Sequence, residues 1–202
     1  MWLLTIRILG YILMVLMAKW AGESLQAFQN GKREKLCAFL LSGMSVWFLP
    51  FYDTILLMYL LTQSFADIRD GYVDVTLNLQ ANACMAVCAL ALLPRATGLI
   101  WLCVACGFLY LTQNVFSSGD RKGLFACALW GLIYLNRGLG VFRSGQYLPM
   151  PCLYGLLITF GSTVLYGLVT KKRYDVPLFP WLFLGMGSTI GTMATTTFLA
   201  TH

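Results

Sequence analysis

The chain has 202 residues, of which 59% are hydrophobic and only 11% charged, with a net charge of +6. An ordinary soluble domain is roughly 25% charged, and so few polar groups cannot cover a water-soluble core this apolar. The composition therefore excludes a soluble globular enzyme and a disordered chain, and continuous apolar runs exclude a transmembrane β-barrel. What remains is an all-α, polytopic transmembrane helix bundle.

Eight apolar segments are predicted in chain order: Trp2–Ala21, Leu36–Leu49, Tyr52–Ala66, Val75–Leu93, Thr97–Gln113, Gly123–Phe142, Pro151–Thr170 and Leu178–Leu199. The second and third fall short of the roughly 20 residues a span requires. Pro50 between them predicts a tight turn and hence a hairpin, so the number of membrane segments is about eight, within a range of six to eight. Spans of this length use most of the chain, which reads as a single integral membrane domain over 1–202. Met1–Trp20 lacks a small-residue cleavage site and is predicted to be a retained helix.

With the N-terminus outside, the inner loops carry Lys19, Lys32, Arg33, Lys35, Arg69, Arg121, Lys122, Lys171, Lys172 and Arg173. The outer side carries only Arg7, Arg95, Arg137 and Arg143. This is the bias of the positive-inside rule. The basic charge is thus read as orientation and contact with anionic lipid in the cell membrane, not as nucleic-acid binding, because it is scattered over separate loops. The acids sort more sharply still. Glu23, Glu34, Asp67, Asp70, Asp74, Asp120 and Asp175 fall on the inner side, and Asp53 alone falls outside.

The side-chain inventory narrows the chemistry. The single histidine, His202, stands at the end of the sequence, a poor place for a catalytic base or a metal ligand. Cys84 and Cys88, and the Cys103–Cys106 pair, sit in apolar runs with no polar flank and read as polarizable packing residues. No metal and no cofactor are predicted.

Two aspartates then stand out. Asp67 follows an apolar run without a spacer, in Phe65-Ala66-Asp67-Ile68-Arg69-Asp70-Gly71-Tyr72-Val73-Asp74. Asp120 sits between two apolar runs in Phe116-Ser117-Ser118-Gly119-Asp120-Arg121-Lys122-Gly123. Both lie at the membrane boundary on the same predicted side, where an ionisable group is a functional candidate. The competing reading is two interfacial acids, each paired with its neighbouring Arg69 or Arg121. Two carboxylates and a water can hydrolyse a peptide without histidine, cysteine or metal: one takes a proton from the water while the other, protonated, polarises the carbonyl. Close approach produces that split, because neighbouring like charges cannot both ionise cheaply. Ser118 and Gly119 fit such a site, glycine allowing a substrate strand to approach the backbone.

Ser117-Ser118-Gly119-Asp120-Arg121-Lys122 resembles the Gly-x-Gly-Asp-x-Lys motif of prepilin leader peptidases and archaeal preflagellin peptidases. Asp67-Ile68-Arg69, with Val73 six residues after the aspartate, is similar to the family's Asp-x-Arg motif with its downstream Ile/Val-Pro-Asn. Lys172-Arg173-Tyr174-Asp175-Val176-Pro177-Leu178-Phe179-Pro180-Trp181-Leu182 is similar to the basic segment before the family's last helix. The three blocks stand in the family's order, and the resemblance is strongest over 54–202. Ser117 replaces the first glycine, and Asp74-Val75 replaces Pro-Asn. Only Glu23–Lys35, without cysteine, stands where longer members carry a cytoplasmic cysteine-containing domain.

The resemblance implies a membrane aspartic endopeptidase of the short form. It would cleave the basic leader from prepilin-like precursors, such as type IV pilin, Tad-type or archaellin-like proteins, at the cytoplasmic face. Asp67 and Asp120 would be the catalytic pair, with Gly119, Lys122, Ser118 and Arg69 supporting them. Asp70 and Asp74, with Glu23 or Glu34, would meet the basic leader. The alternatives are a catalytically inactive homologue or non-enzymatic assembly factor for a pilus or secretion system, and a small transporter. The series Gly185–Thr192 is predicted to be a close helix-packing face.

Overall fold

The computed structural model describes residues 49–71, 73, 75–91, 96–136, 150–170 and 176–200. Among these the protein is all-helical. The helices are α1 (Phe51–Asp70), α2 (Val75–Leu90), α3 (Ala96–Leu111), α4 (Ser118–Asn136), α5 (Met150–Thr170) and α6 (Phe179–Ala200). They match the last six apolar segments read from the sequence. The first two segments, apart from Leu49, lie outside the described residues, as do Glu23 and Glu34.

Local chemistry sets the ends that matter for function. At the start of α1, the carbonyl of Pro50 accepts the N–H groups of Asp53 and Thr54, each at 3.1 Å. α1 stops at Gly71, whose φ of +65° is left-handed backbone that glycine adopts without steric cost. The helix therefore runs past the apolar segment, and Asp67 lies in its last turn rather than after it. α4 likewise starts earlier than the apolar run predicts. Ser117 Oγ accepts the Asp120 N–H at 3.1 Å, and Asp120 Oδ2 accepts the Ser117 N–H at 3.2 Å. This reciprocal capping box begins the helix at Ser118, so Asp120 belongs to its first turn and not to a loop.

α4 is the central helix and touches the other five. From Gly123 to Leu135 almost every residue is buried, Trp130 fully so, as an all-apolar helix requires. α5 and α6 cross closely. A Cβ on Gly185 would run into the Gly155 carbonyl and the Thr159 hydroxyl, so only glycine fits there. The packing face expected from Gly185 onward is seated on α5 at this point.

The outside of the bundle is apolar. Tyr154, Leu157, Leu165 and Leu168 of α5, and Leu99, Ile100, Val104 and Phe108 of α3, are exposed. Cys103 and Cys106 also lie exposed on α3 instead of packing inside. Among the described residues one helix, over Pro151–Thr170, is long and apolar enough to cross a membrane, and only 17% of its apolar stretch is buried. The helices over Leu77–Leu90 and Gly98–Leu111 are apolar but shorter.

Asp53 is buried at the start of α1. It accepts hydrogen bonds from Trp130 Nε1 at 2.6 Å and from Tyr134 Oη at 2.9 and 3.1 Å. The C-terminal half of α4 thus meets the start of α1, and the two helices run antiparallel. Their other ends, carrying Asp67 and Asp120, come together at the opposite end of the bundle.

Candidate functional site

Three helix connections meet at that end and enclose a cleft of about 690 Å³. The end of α1 and start of α2 contribute Asp67, Ile68, Gly71, Val73, Val75 and Asn78. The start of α4 contributes Ser117, Ser118, Gly119, Asp120 and Lys122. The third wall is Tyr166 of α5 with Val176, Pro177, Leu178, Pro180 and Trp181 leading into α6. Each of the three sequence blocks singled out above supplies one wall.

Asp67 is half-buried in this cleft, and its Oδ2 accepts the N–H of Phe179, the first residue of α6, at 3.2 Å. Leu178, the residue before that helix, has no side-chain acceptor to satisfy the free amides of the first turn. Asp67 does so from another helix. Burial is the largest influence on its carboxyl group and pushes the pKa above the ordinary aspartate value. The hydrogen bonds from Phe179 and Leu178 pull it down, and the charge of Asp120 pushes it up, with a net rise. The two aspartates, distant in sequence, thus share one cleft and act on each other electrostatically.

Asp120 is held by its capping box with Ser117. The Ser117 hydroxyl fixes the first turn of α4. Gly119 is needed for packing: a Cβ there would lie 2.9 Å from Val73 Cβ, so the starts of α4 and α2 approach closely only without one. Gly123, one turn on, leaves room for the Phe179 ring, which a Cβ would meet at 2.7 Å. These two glycines hold α4 against the two segments that frame Asp67.

Lys122 lines the cleft, and its backbone carbonyl accepts a hydrogen bond from Asn82 Nδ2 at 3.2 Å. Ser118 lines the cleft as the first residue of α4. Arg121 does not line it, and its buried Nε has no hydrogen-bond partner among the described residues. Asp74 lies outside the described residues, as do the side chains of Arg69 and Asp70. No group of three or more His, Cys, Asp or Glu side chains able to hold a metal ion occurs among the described residues.

The structure adds residues that the sequence motifs did not mark. Asn78 on α2 is fully buried at the cleft wall. Its Oδ1 accepts the Tyr59 hydroxyl and, at 3.4 Å, Gln63 Nε2. Its Nδ2 has no partner among the described residues, and neither has the buried Nε1 of Trp181 on the opposite wall. Asn78 and Asn82, four residues apart in an apolar run, form the one sequence signal that points here: a polar stripe on a single helix face.

The arrangement offers one carboxyl group biased towards its protonated form and a second carboxyl group in the same cleft of about 690 Å³. Such a pair can hold one proton and take another. No protein-family model, no curated protein and no solved structure matches this chain.

Proposed function

We propose that the chain is a multi-pass cell-membrane aspartic endopeptidase that removes the basic leader from prepilin-like precursors at the cytoplasmic face. The observation that carries this reading is the shared cleft of Asp67 and Asp120. Convergence of the three family-like blocks on its walls supports it, as does the exposed apolar belt on α3 and α5 for a bundle of six to eight spans. The precursor's apolar helix lies in the bilayer beside the protein, which confines it and fixes its depth. Its leader meets the acidic inner face.

The chemistry follows from the environments. Asp67, raised by burial, carries the shared proton. Asp120 takes a proton from a water held between the two. The water oxygen bonds to the scissile carbonyl carbon, and the Asp67 proton passes to the carbonyl oxygen. Collapse of the tetrahedral species breaks the C–N bond: the leaving amine takes the proton from Asp120, and one hydroxyl of the tetrahedral carbon returns its proton to Asp67 as the new carboxylic acid forms. The pair titrates as a unit.

Co-expression with a candidate precursor tests this proposal. Wild type shortens the precursor, and Asp67→Asn and Asp120→Asn each leave it uncut. Full processing by either variant rejects the pair. The second reading, a non-enzymatic assembly factor, is favoured by one observation: the Asp120 carboxylate is already engaged in capping α4. Under that reading wild type cuts nothing and co-purifies with a pilus-assembly partner.

A further inference from the structure

The geometry points to Asn78 as a third substrate-contacting residue of this cleft: its side-chain N–H donates a hydrogen bond to the scissile carbonyl oxygen of the bound peptide. The inference rests on the peptidase reading and adds to it the group that stabilises the oxyanion.

The argument starts from a buried donor. Asn78 has no exposed surface, yet it lines the cleft that holds both aspartates. Its amide has two ends, and the structure uses only one. Tyr59 and Gln63, both on α1, donate to Oδ1. With the oxygen held by two donors, Nδ2 is the end left over, and it has no partner among the described residues. A buried N–H left unmade is costly, and native structures rarely keep one without a reason. A peptide carbonyl entering the cleft supplies the missing acceptor.

The position is also pre-organised. Asn82 Nδ2, one turn along α2, bonds both the Asn78 carbonyl at 2.8 Å and the Lys122 carbonyl at 3.2 Å. This ties the helix carrying the donor to the helix carrying Asp120. An N–H held in the wall of the cleft that both aspartates line meets the requirement for oxyanion stabilisation, a donor in place before charge develops. The Asp67 proton and the Asn78 N–H then share the oxygen on which negative charge accumulates.

The test uses the full chain in lipid vesicles with a precursor that wild type processes. Asn78→Leu removes the donor. It is expected to lower kcat per folded molecule about 10²–10³-fold, the usual loss for one oxyanion donor, with KM unchanged within about two-fold, and to lower the thermal unfolding midpoint because Tyr59 and Gln63 lose the oxygen they share. Asn78→Asp is the companion variant: it keeps the oxygen that Tyr59 and Gln63 need, so it decides the matter if Asn78→Leu does not fold. Because it adds a charge, it is read at its own pH optimum, where the loss is expected to persist. Wild-type kcat in either folded variant overturns the assignment. So does a rise in KM with kcat intact, which places the donor on a spectator carbonyl. If wild type itself processes no precursor, the peptidase reading fails and this inference falls with it; if wild type cuts and the folded variants cut equally well, only the role of Asn78 is lost.

Discussion

The Asp67 carboxylate accepts the backbone N–H of Phe179 at 3.2 Å, so a side chain from the end of α1 caps the start of α6. One carboxyl group thereby has two jobs, closing the bundle and facing the cleft. Burial and the Asp120 charge still outweigh the stabilising amides and leave its pKa raised.

The sign of the resulting stability effect is fixed. A carboxyl group whose folded-state pKa lies above its unfolded value of about 3.9 favours the folded state below that value. This contribution is lost as pH rises through the folded-state pKa. The raised Asp67 is thus a stability cost at neutral pH, where the unfolded chain holds this carboxyl group ionised. Asp67→Asn, which keeps an oxygen for Phe179, is expected to unfold at a temperature equal to or above wild type at pH 7. The difference is expected to shrink as pH falls and to vanish below about pH 3.9. A variant less stable than wild type at pH 7 and equal to it at acid pH contradicts this sign.

The Asp120 charge is one of the two influences that raise Asp67, after burial. Asp120→Asn is therefore expected to move the Asp67 titration downward without returning it to the ordinary value, because burial remains. The carboxyl infrared band followed against pH reads this directly. An unchanged or upward-shifted Asp67 shows that the two groups do not sense each other.

Gly123 and Phe179 make the most demanding contact around the site. Gly123→Ala places a methyl group 2.7 Å from the buried Phe179 ring and forces the start of α6 away from Asp67. Overpacking of this kind costs about 1–3 kcal/mol, and processing activity is expected to fall together with the melting temperature. An alanine variant of wild-type stability and activity shows that the ring moves aside freely.

Asp53 supplies the contrast. It lies on α1 about 21 Å from Asp67, at 1.5 Å per residue, and accepts hydrogen bonds from Trp130 and Tyr134. Asp53→Ala leaves the buried Trp130 indole N–H without its acceptor, at about 1–3 kcal/mol, and takes one of the partners of Tyr134. Stability is expected to drop while processing per folded molecule stays at the wild-type level. A rate loss in a fully folded Asp53→Ala protein links this end of the bundle to the cleft.

The helices were legible from the apolar runs, because a continuous apolar stretch has few other ways to satisfy its backbone. The ends were harder. The run starting at Gly123 hides a helix that begins at Ser118, because the capping box of Ser117 and Asp120 operates outside the apolar pattern. The run ending at Ala66 hides a helix that continues to Gly71. Asp67 and Asp120 stood out as ionisable groups at helix boundaries, but their meeting in one cleft depends on α1 and α4 running antiparallel, which no local pattern encodes. Asn78 was not marked because an amide in an apolar run looks like packing, and Trp181 was marked only as part of the block before the last helix. Only the fold shows that each keeps a buried donor without a partner.

The most direct test of the aspartate pair is leader release by the purified protein in lipid vesicles, read by mass spectrometry of the freed peptide. Wild type is expected to release one defined leader. Asp67→Asn and Asp120→Asn are each expected to reduce the rate by at least the roughly 10²–10⁴-fold that general acid–base catalysis contributes, while remaining folded. Release at the wild-type rate by either variant contradicts the shared role of the two carboxyl groups.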